Sequence, residues 1–170
     1  MSDKIQKAFK SKDIKKLYEL LEEALRKDME DEAIDSLYQK ILELSFDRLA
    51  SMLSQGEKFD LDNLRDLYTA RGVYEHALER WDGKDFKGAK ELFLVLSFLM
   101  PPRYKEPMLL GAGMCAKQIP LDRFLEEYVD EEKVNEESFF LEHLTPKAKE
   151  FLAKNQELIQ KELQEMEKLG

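Results

Sequence analysis

The sequence predicts an all-α protein, and three observations lead to that prediction. Apolar residues recur three and four positions apart along nearly all of the 170 residues, which is the spacing of one helix face. No segment alternates apolar and polar residues convincingly over five or more positions, as a half-buried strand would. Turn signals at Gln55-Gly56, Asp82-Gly83 and Pro101-Pro102 separate the periodic segments. We therefore expect one helical domain over 1–170.

The N-terminal part, 1–56, predicts amphipathic helices. One apolar stripe covers 14–25 and a second covers 34–53, each with charged residues on the opposite face. They form two helices, or one long helix with a break near 28–31. Gly56 marks the end of the second stripe, because glycine readily adopts the left-handed conformation that closes a helix.

The middle part, 60–118, predicts a core of three helices. Asp60 is the expected N-cap of a helix that reaches Trp81. A second helix then covers 86–99, and the short turn between them makes an antiparallel hairpin. Pro107 suits the first turn of a third helix, where its missing N–H costs nothing.

The C-terminal part, 119–170, has a weaker pattern. Its first half, up to Leu144, is rich in Glu and Asp and predicts one or two short helices. Thr145-Pro146 is the signature of an N-cap followed by proline in the first helical position. We expect one last helix from there to Leu169.

Composition and charge exclude several classes of partner. The formal net charge of -9 should repel nucleic acid and anionic membrane surfaces. No run approaches the 18 apolar residues of a transmembrane helix, and the first residues lack the apolar segment of a signal peptide. The single cysteine, Cys115, is expected to be a buried small side chain in a reducing compartment. These features predict a cytoplasmic location.

Residues that could support catalysis do not form a recognisable pattern. His76 and His143 have no metal-ligand spacing to another His or Cys. The glycines of Gly111-Ala-Gly113 lack the third glycine and the preceding strand of a nucleotide-binding loop. Cys115 has no evident cause for thiolate formation. We predict no enzyme activity, no metal site and no cofactor.

One set of residues between Ala70 and Arg103 is more informative about the fold than the overall composition is. Small residues occur where two helices would cross, aromatic residues fill the wedge between them, and a proline ends the second helix. These residues are Ala77, Phe86, Ala89, Phe93 and Pro101. Their spacing resembles that of a tetratricopeptide repeat, a 34-residue helix-turn-helix unit. The alternative is an unrelated helical hairpin.

Three segments resemble a particular tetratricopeptide-repeat family. They are 73–81 with its Tyr and Trp, the 83–93 turn and helix, and the Leu-Gly-Ala-Gly run that opens 110–118. The family is the class II chaperones of bacterial type III secretion systems, which hold translocator proteins in the cytosol before export. The resemblance implies a tetratricopeptide-like array of helical hairpins with flanking N-terminal and C-terminal helices. After Gln118 the sequence departs from the family pattern, so one full repeat and part of a second are expected.

The resemblance also implies a binding site. In the family, the first helix of each hairpin lines a concave groove that takes an extended apolar peptide. The corresponding positions in this chain are Tyr74, Leu78, Trp81, Leu110, Met114 and Lys117. The first three are spaced four and three apart and share one helix face. The alternative is that this stripe belongs to the hydrophobic core.

The resemblance implies two partners. One is a segment of a secreted, translocator-type protein, and the other is a second copy of the chain, bound through the N-terminal helices. Two other functions are considered. The first is a general tetratricopeptide-like scaffold or adaptor without a secretion role. The second is a small helical regulator whose Glu-rich region, 130–142, docks on a basic partner.

Overall fold

A computed structural model describes residues 3–135 and 139–169, and over these residues the chain forms nine α-helices and no strand. The predicted all-α fold class is confirmed. The helices are α1 (Asp3–Ser11), α2 (Ile14–Arg26), α3 (Asp31–Gln55), α4 (Leu64–Asp82), α5 (Phe86–Leu99), α6 (Lys105–Ala116), α7 (Leu121–Glu127), α8 (Pro146–Lys154) and α9 (Gln156–Leu169).

The chain divides into two compact units, Met1–Val73 and Tyr74–Gly170. The boundary lies inside α4, and thus inside the predicted core of 60–118 rather than at one of its ends. One continuous helix therefore contributes residues to both units.

The first unit has a core formed mainly by α2 and α3. Asp13 caps α2 by accepting a hydrogen bond from the backbone N–H of Lys16 at 3.1 Å. Leu17 of α2 is fully buried in one cluster with Leu37 and Ile41 of α3. Of the two alternatives, two separate helices are confirmed, since α2 ends at Arg26 and α3 begins at Asp31. Helix α1 was not predicted.

The ends of α3 and α4 show one confirmed prediction and one correction. Gly56 closes α3 with a φ of 69°, as expected. Asp60, however, does not cap α4, because its carboxylate accepts from the N–H of Asp62 in a local turn. The helix begins four residues later, where the side chain of Asn63 accepts from the N–H of Asp66 at 3.3 Å.

The second unit contains most of the predicted helical hairpin, from Tyr74 of α4 through α5. Ala77 and Ala89 are fully buried, and Phe93 packs edge-on against the aromatic rings of α4. Asp85 caps α5 by accepting from the N–H of Gly88 at 3.0 Å. The two alanines and Phe93 thus lie where expected, whereas Phe86 is only half-buried. Membership of the tetratricopeptide class stays a prediction.

At its two glycines, Gly111 and Gly113, the backbone of α6 lies close to side chains of neighbouring helices. A Cβ atom at Gly111 would lie 3.0 Å from the ring of Phe93. One at Gly113 would lie 3.2 Å from Ile159 and from Phe151. The close neighbours at these two positions are side chains of α5, α8 and α9, and glycine leaves room for them.

The C-terminal part differs from the single last helix that the sequence predicted. Thr145 caps α8 as expected, accepting from the N–H of Ala148 at 3.3 Å. The helix then stops at Asn155, whose side-chain amide donates to the carbonyl of Phe151 at 2.8 Å. A new helix, α9, starts at the following residue. An Asn side chain can form hydrogen bonds with nearby backbone groups that would otherwise bond within the helix. Here Asn155 ends α8, so that one amphipathic sequence pattern forms two helices.

Candidate protein-binding surfaces

Four of the six predicted groove residues lie in the core of the second unit. Tyr74 is 2% exposed, Trp81 1%, and Leu110 and Met114 0%. Leu78 is half-buried, and Lys117 is exposed. The predicted groove over Tyr74, Trp81, Leu110 and Met114 is therefore not open in this structure, because other parts of the chain cover these side chains.

Trp81 is held on several sides. Its indole N–H donates to the backbone carbonyl of Ile119 at 2.7 Å. Its ring centroid lies 5.6 Å from that of Phe93 and 4.9 Å from that of Phe124 on α7. Both the polar and the apolar parts of the indole are satisfied inside the unit, as is usual for a buried Trp.

Tyr74 is covered by a non-helical part of the chain. The ring centroid of Phe140 lies 5.6 Å from that of Tyr74 and 5.2 Å from that of Tyr104, and Phe140 is 3% exposed. Burial raises the pKa of the Tyr74 hydroxyl well above its ordinary value. The face of α4 that the resemblance assigned to a peptide thus receives an aromatic side chain of the chain itself.

The backbone around Phe140 is anchored beside α7. An isolated antiparallel bridge pairs Val129 with Leu144, and the N–H of Asp130 donates to the carbonyl of His143 at 2.8 Å. Residues 136–138 of the Glu-rich region lie outside the described residues. The periodic pattern of this segment is weak, so Phe140 was not predicted as the partner of Tyr74.

Lys117, the one exposed member of the predicted site, lies at the edge of a cleft of about 420 Å³. Three more basic side chains line this cleft: Arg123, Lys147 and Lys154. Sequence reasoning missed all three. Lys147 and Lys154 are seven positions apart, which places them on the same face of α8, and this spacing is a signal that could have been read.

His76 belongs to a polar network at the end of the hairpin. Its Nε2 accepts from the Nε of Arg80 at 2.9 Å, and Arg80 also pairs with Asp85 at 2.8 Å. Burial, and then the charge of Arg80, lower the pKa of His76. The arrangement suits a neutral imidazole that helps to position Arg80 on the α5 cap.

Two further features bear on chemistry. Cys115 is buried, and burial raises its thiol pKa to about 12, so the thiolate is scarce at neutral pH. Among residues 3–135 and 139–169, no group of three or more His, Cys, Asp or Glu side chains could hold a metal ion. Nor is any helix of those ranges both long and apolar enough to cross a membrane.

The fold and these surfaces define an all-helical protein with a central α-hairpin, an aromatic face covered by its own chain and a separate basic cleft. Comparisons with protein-family models, curated proteins and solved structures give no significant match.

Proposed function

We propose that the protein is a cytoplasmic chaperone of a bacterial type III secretion system that binds an apolar segment of a secreted, translocator-type protein. The resemblance over 73–81, 83–93 and 110–118 supports this proposal. The observation that carries it is the covering of Tyr74 by Phe140, because the same helix face already accommodates an aromatic side chain from non-helical polypeptide.

In this proposal the cargo binds by exchange. Phe140 leaves the space between Tyr74 and Tyr104, and an apolar side chain of the cargo takes its place. The chain's own segment thereby shields the aromatic face while no cargo is present, which prevents aggregation of an exposed apolar surface. The net charge of -9 then keeps the complex dispersed.

The exchange has a defined energetic cost. Exposing a buried Phe side chain costs about 1.5–3 kcal/mol. The cargo affinity is lowered by the same free energy, which corresponds to roughly 10- to 150-fold. Removal of the Phe140 ring should therefore strengthen cargo binding, provided that the remaining core stays folded.

The test is co-expression of the tagged protein with candidate translocator-type proteins, followed by pull-down and mass spectrometry. We expect a secreted or membrane-active protein to co-purify, and Phe140→Ala to increase the amount captured. Phe98→Ala is the matched control, since Phe98 is 56% exposed in the same unit. Circular dichroism confirms that each variant is folded.

Two results would contradict the proposal. Failure of any secreted or membrane-active protein to co-purify with the wild-type chain or with Phe140→Ala would remove the chaperone role. Equal capture by Phe140→Ala, Phe98→Ala and the wild type would show that the Tyr74 face is not the binding site.

A second candidate is a general tetratricopeptide-like scaffold or adaptor without a secretion role. The burial of four of the six predicted groove residues favours it, since an adaptor could use other surfaces. It predicts that the captured protein is neither secreted nor membrane-active and that Phe140→Ala leaves its binding unchanged.

A homodimer through the N-terminal helices is a further part of the proposal. Most of the apolar stripe of α2 is already buried inside the first unit, but Leu25 and Leu53 are 57% and 49% exposed. These two side chains are the large exposed apolar groups of α2 and α3, and the proposal places them against a second copy. Sedimentation equilibrium that gives only the 20.0 kDa monomer at high concentration would exclude the dimer.

A further inference from the structure

The basic cleft of the second unit has an aromatic floor. Tyr128 and Phe151 form the floor, with exposures of 4% and 9% and ring centroids 5.9 Å apart in an edge-on arrangement. The Nζ atom of Lys117 lies 6.0 Å from the centre of the Phe151 ring, and that of Lys147 lies 5.5 Å from the centre of the Tyr128 ring. Ammonium groups therefore stand beside an apolar surface.

The charge of the cleft is opposite to that of the chain. The protein has 36 acidic and 27 basic residues, yet the cleft is lined by four basic residues and one acidic residue, Glu150. Three different parts of the fold supply the basic side chains: the end of α6 with Lys117, α7 with Arg123, and α8 with Lys147 and Lys154. The concentration of positive charge is thus a product of folding.

Two carboxylates neutralise part of this charge. Glu127 accepts from Arg123 at 2.7 Å and also pairs with Lys147. Glu150 pairs with Lys154 at 2.5 Å. These hydrogen bonds lower the pKa of both carboxyl groups, Glu127 chiefly through Lys147, so both are ionised at neutral pH.

Positive charge remains after these pairs are formed. Four cations and two carboxylates leave a balance of two positive charges in and beside the cleft. Lys117 hydrogen-bonds to the neutral amide oxygen of Asn155 at 3.4 Å, a contact that leaves its charge uncompensated. The cleft is therefore suited to a ligand that brings carboxylates.

We propose that this cleft binds an acidic peptide segment of a partner protein. An apolar side chain of the segment rests on Tyr128 and Phe151. Its carboxylates lie beside Lys117 and beside Lys147, which shares the single carboxylate of Glu127 with Arg123. The volume of about 420 Å³ falls in the usual range of ligand sites and suits one or two side chains. Nucleic acid is disfavoured because a surplus of two positive charges in a cleft of this size can neutralise few backbone phosphates. This site is independent of the proposed secretion role.

The proposal is tested with synthetic peptides and amide NMR titrations of the full chain. The probe is Glu-Asp-Leu-Glu-Asp with blocked ends, and the reference is its neutral counterpart Gln-Asn-Leu-Gln-Asn. We expect the acidic probe to shift the amide signals around Tyr128, Lys117 and Phe151, and to bind at least about fivefold more tightly than the neutral peptide.

Charge-reversal variants test whether the acidic probe binds in the cleft. Lys117→Glu and Lys147→Glu should each weaken binding of the acidic probe at least about fivefold. Lys105→Glu is the matched control, because Lys105 is an exposed residue at the other end of α6 and its reversal changes the net charge equally. It should leave the affinity within about twofold, since charges beyond a Debye length are largely screened.

Three outcomes would overturn the proposal. One is an equal loss of affinity in Lys105→Glu and Lys117→Glu, which would indicate only long-range attraction. Another is equal binding of the neutral peptide. The third is displacement of the acidic probe by inorganic phosphate at equal concentration, which would indicate a small-anion site. None of these outcomes depends on Phe140, so the proposed cleft site and the proposed chaperone role are tested independently.

Discussion

The two units of the chain build their interiors from different kinds of residue. The first unit packs mainly aliphatic faces of α2 and α3, and it contains three of the four buried polar residues of the described chain: Ser45, Asp66 and Thr69. The second unit is rich in aromatic contacts, centred on Trp81, Phe93 and Phe140. Substitutions that disturb buried polar groups should therefore be costly in the first unit, and substitutions that remove a ring should be costly in the second.

The largest expected effect tests the aromatic unit. Trp81→Ala should lower the free energy of unfolding by about 3–5 kcal/mol, because it leaves a large cavity and removes the bond to Ile119. Trp81→Phe, which keeps a ring, should cost clearly less. Urea denaturation followed by far-ultraviolet circular dichroism measures both. A loss under about 1 kcal/mol for Trp81→Ala would contradict an aromatic core centred on this residue.

The next prediction concerns a close approach in the first unit. A Cβ atom at Gly72 would lie 2.2 Å from the Oγ of Ser45, so Gly72→Ala should cost about 1–3 kcal/mol. Ser45→Ala removes the clashing hydroxyl and should restore most of that loss in the double variant. Thermal unfolding of the two single variants and the double variant gives the coupling. A double variant no more stable than Gly72→Ala would show that the contact is not the cause.

A third prediction tests the buried charge of the first unit. Asp66 is 5% exposed and lies 3.5 Å from the Nη2 of Arg48, which also pairs with Glu57 at 3.0 Å. Arg48→Met should cost about 1–3 kcal/mol by leaving the Asp66 carboxylate without its cation. Asp66→Asn in the same chain should recover part of this loss. If Arg48→Met is as stable as the wild type, charge is unimportant in this unit.

The smallest expected effect lies in the second unit and depends on pH. The pKa of His76 in the folded protein is below its ordinary value of 6.5, mainly through burial. As the pH falls below that value, the unfolded chain binds a proton more readily than the folded chain. The stabilisation is therefore complete above pH 6.5 and is lost as the pH falls through the folded pKa. His76→Gln should flatten the change in stability between pH 7 and pH 5, and an unchanged slope would contradict the assignment.

Much of the helical framework could be predicted from local signals. The stop at Gly56, the hairpin turn after Asp82 and the cap at Thr145 depend on residues close in sequence, and each is found where expected. The errors at Asp60 and Asn155 have the same physical origin. Short polar side chains can form hydrogen bonds with several nearby backbone groups, and the sequence alone does not determine which of these hydrogen bonds forms.

The candidate sites were less predictable, because they depend on contacts between distant parts of the chain. The stripe of Tyr74 and Trp81 was visible, but helical spacing cannot tell a groove from a core. The answer depends on Phe140, which lies more than sixty positions after Tyr74 in a segment of weak periodicity. The basic cleft likewise needs Lys117, Arg123 and α8 to meet in space.

Trp81 has a consequence for observing this protein. It is the only tryptophan of the chain, and it is enclosed by Ile119, Phe93 and Phe124 in the second unit. Its intrinsic fluorescence therefore reports the local state of that unit, while the circular dichroism signal averages over helices of both. If the two units unfold at different temperatures, the thermal unfolding curves from fluorescence emission and from circular dichroism will not coincide. The separate unfolding of the units can then be detected without an added label.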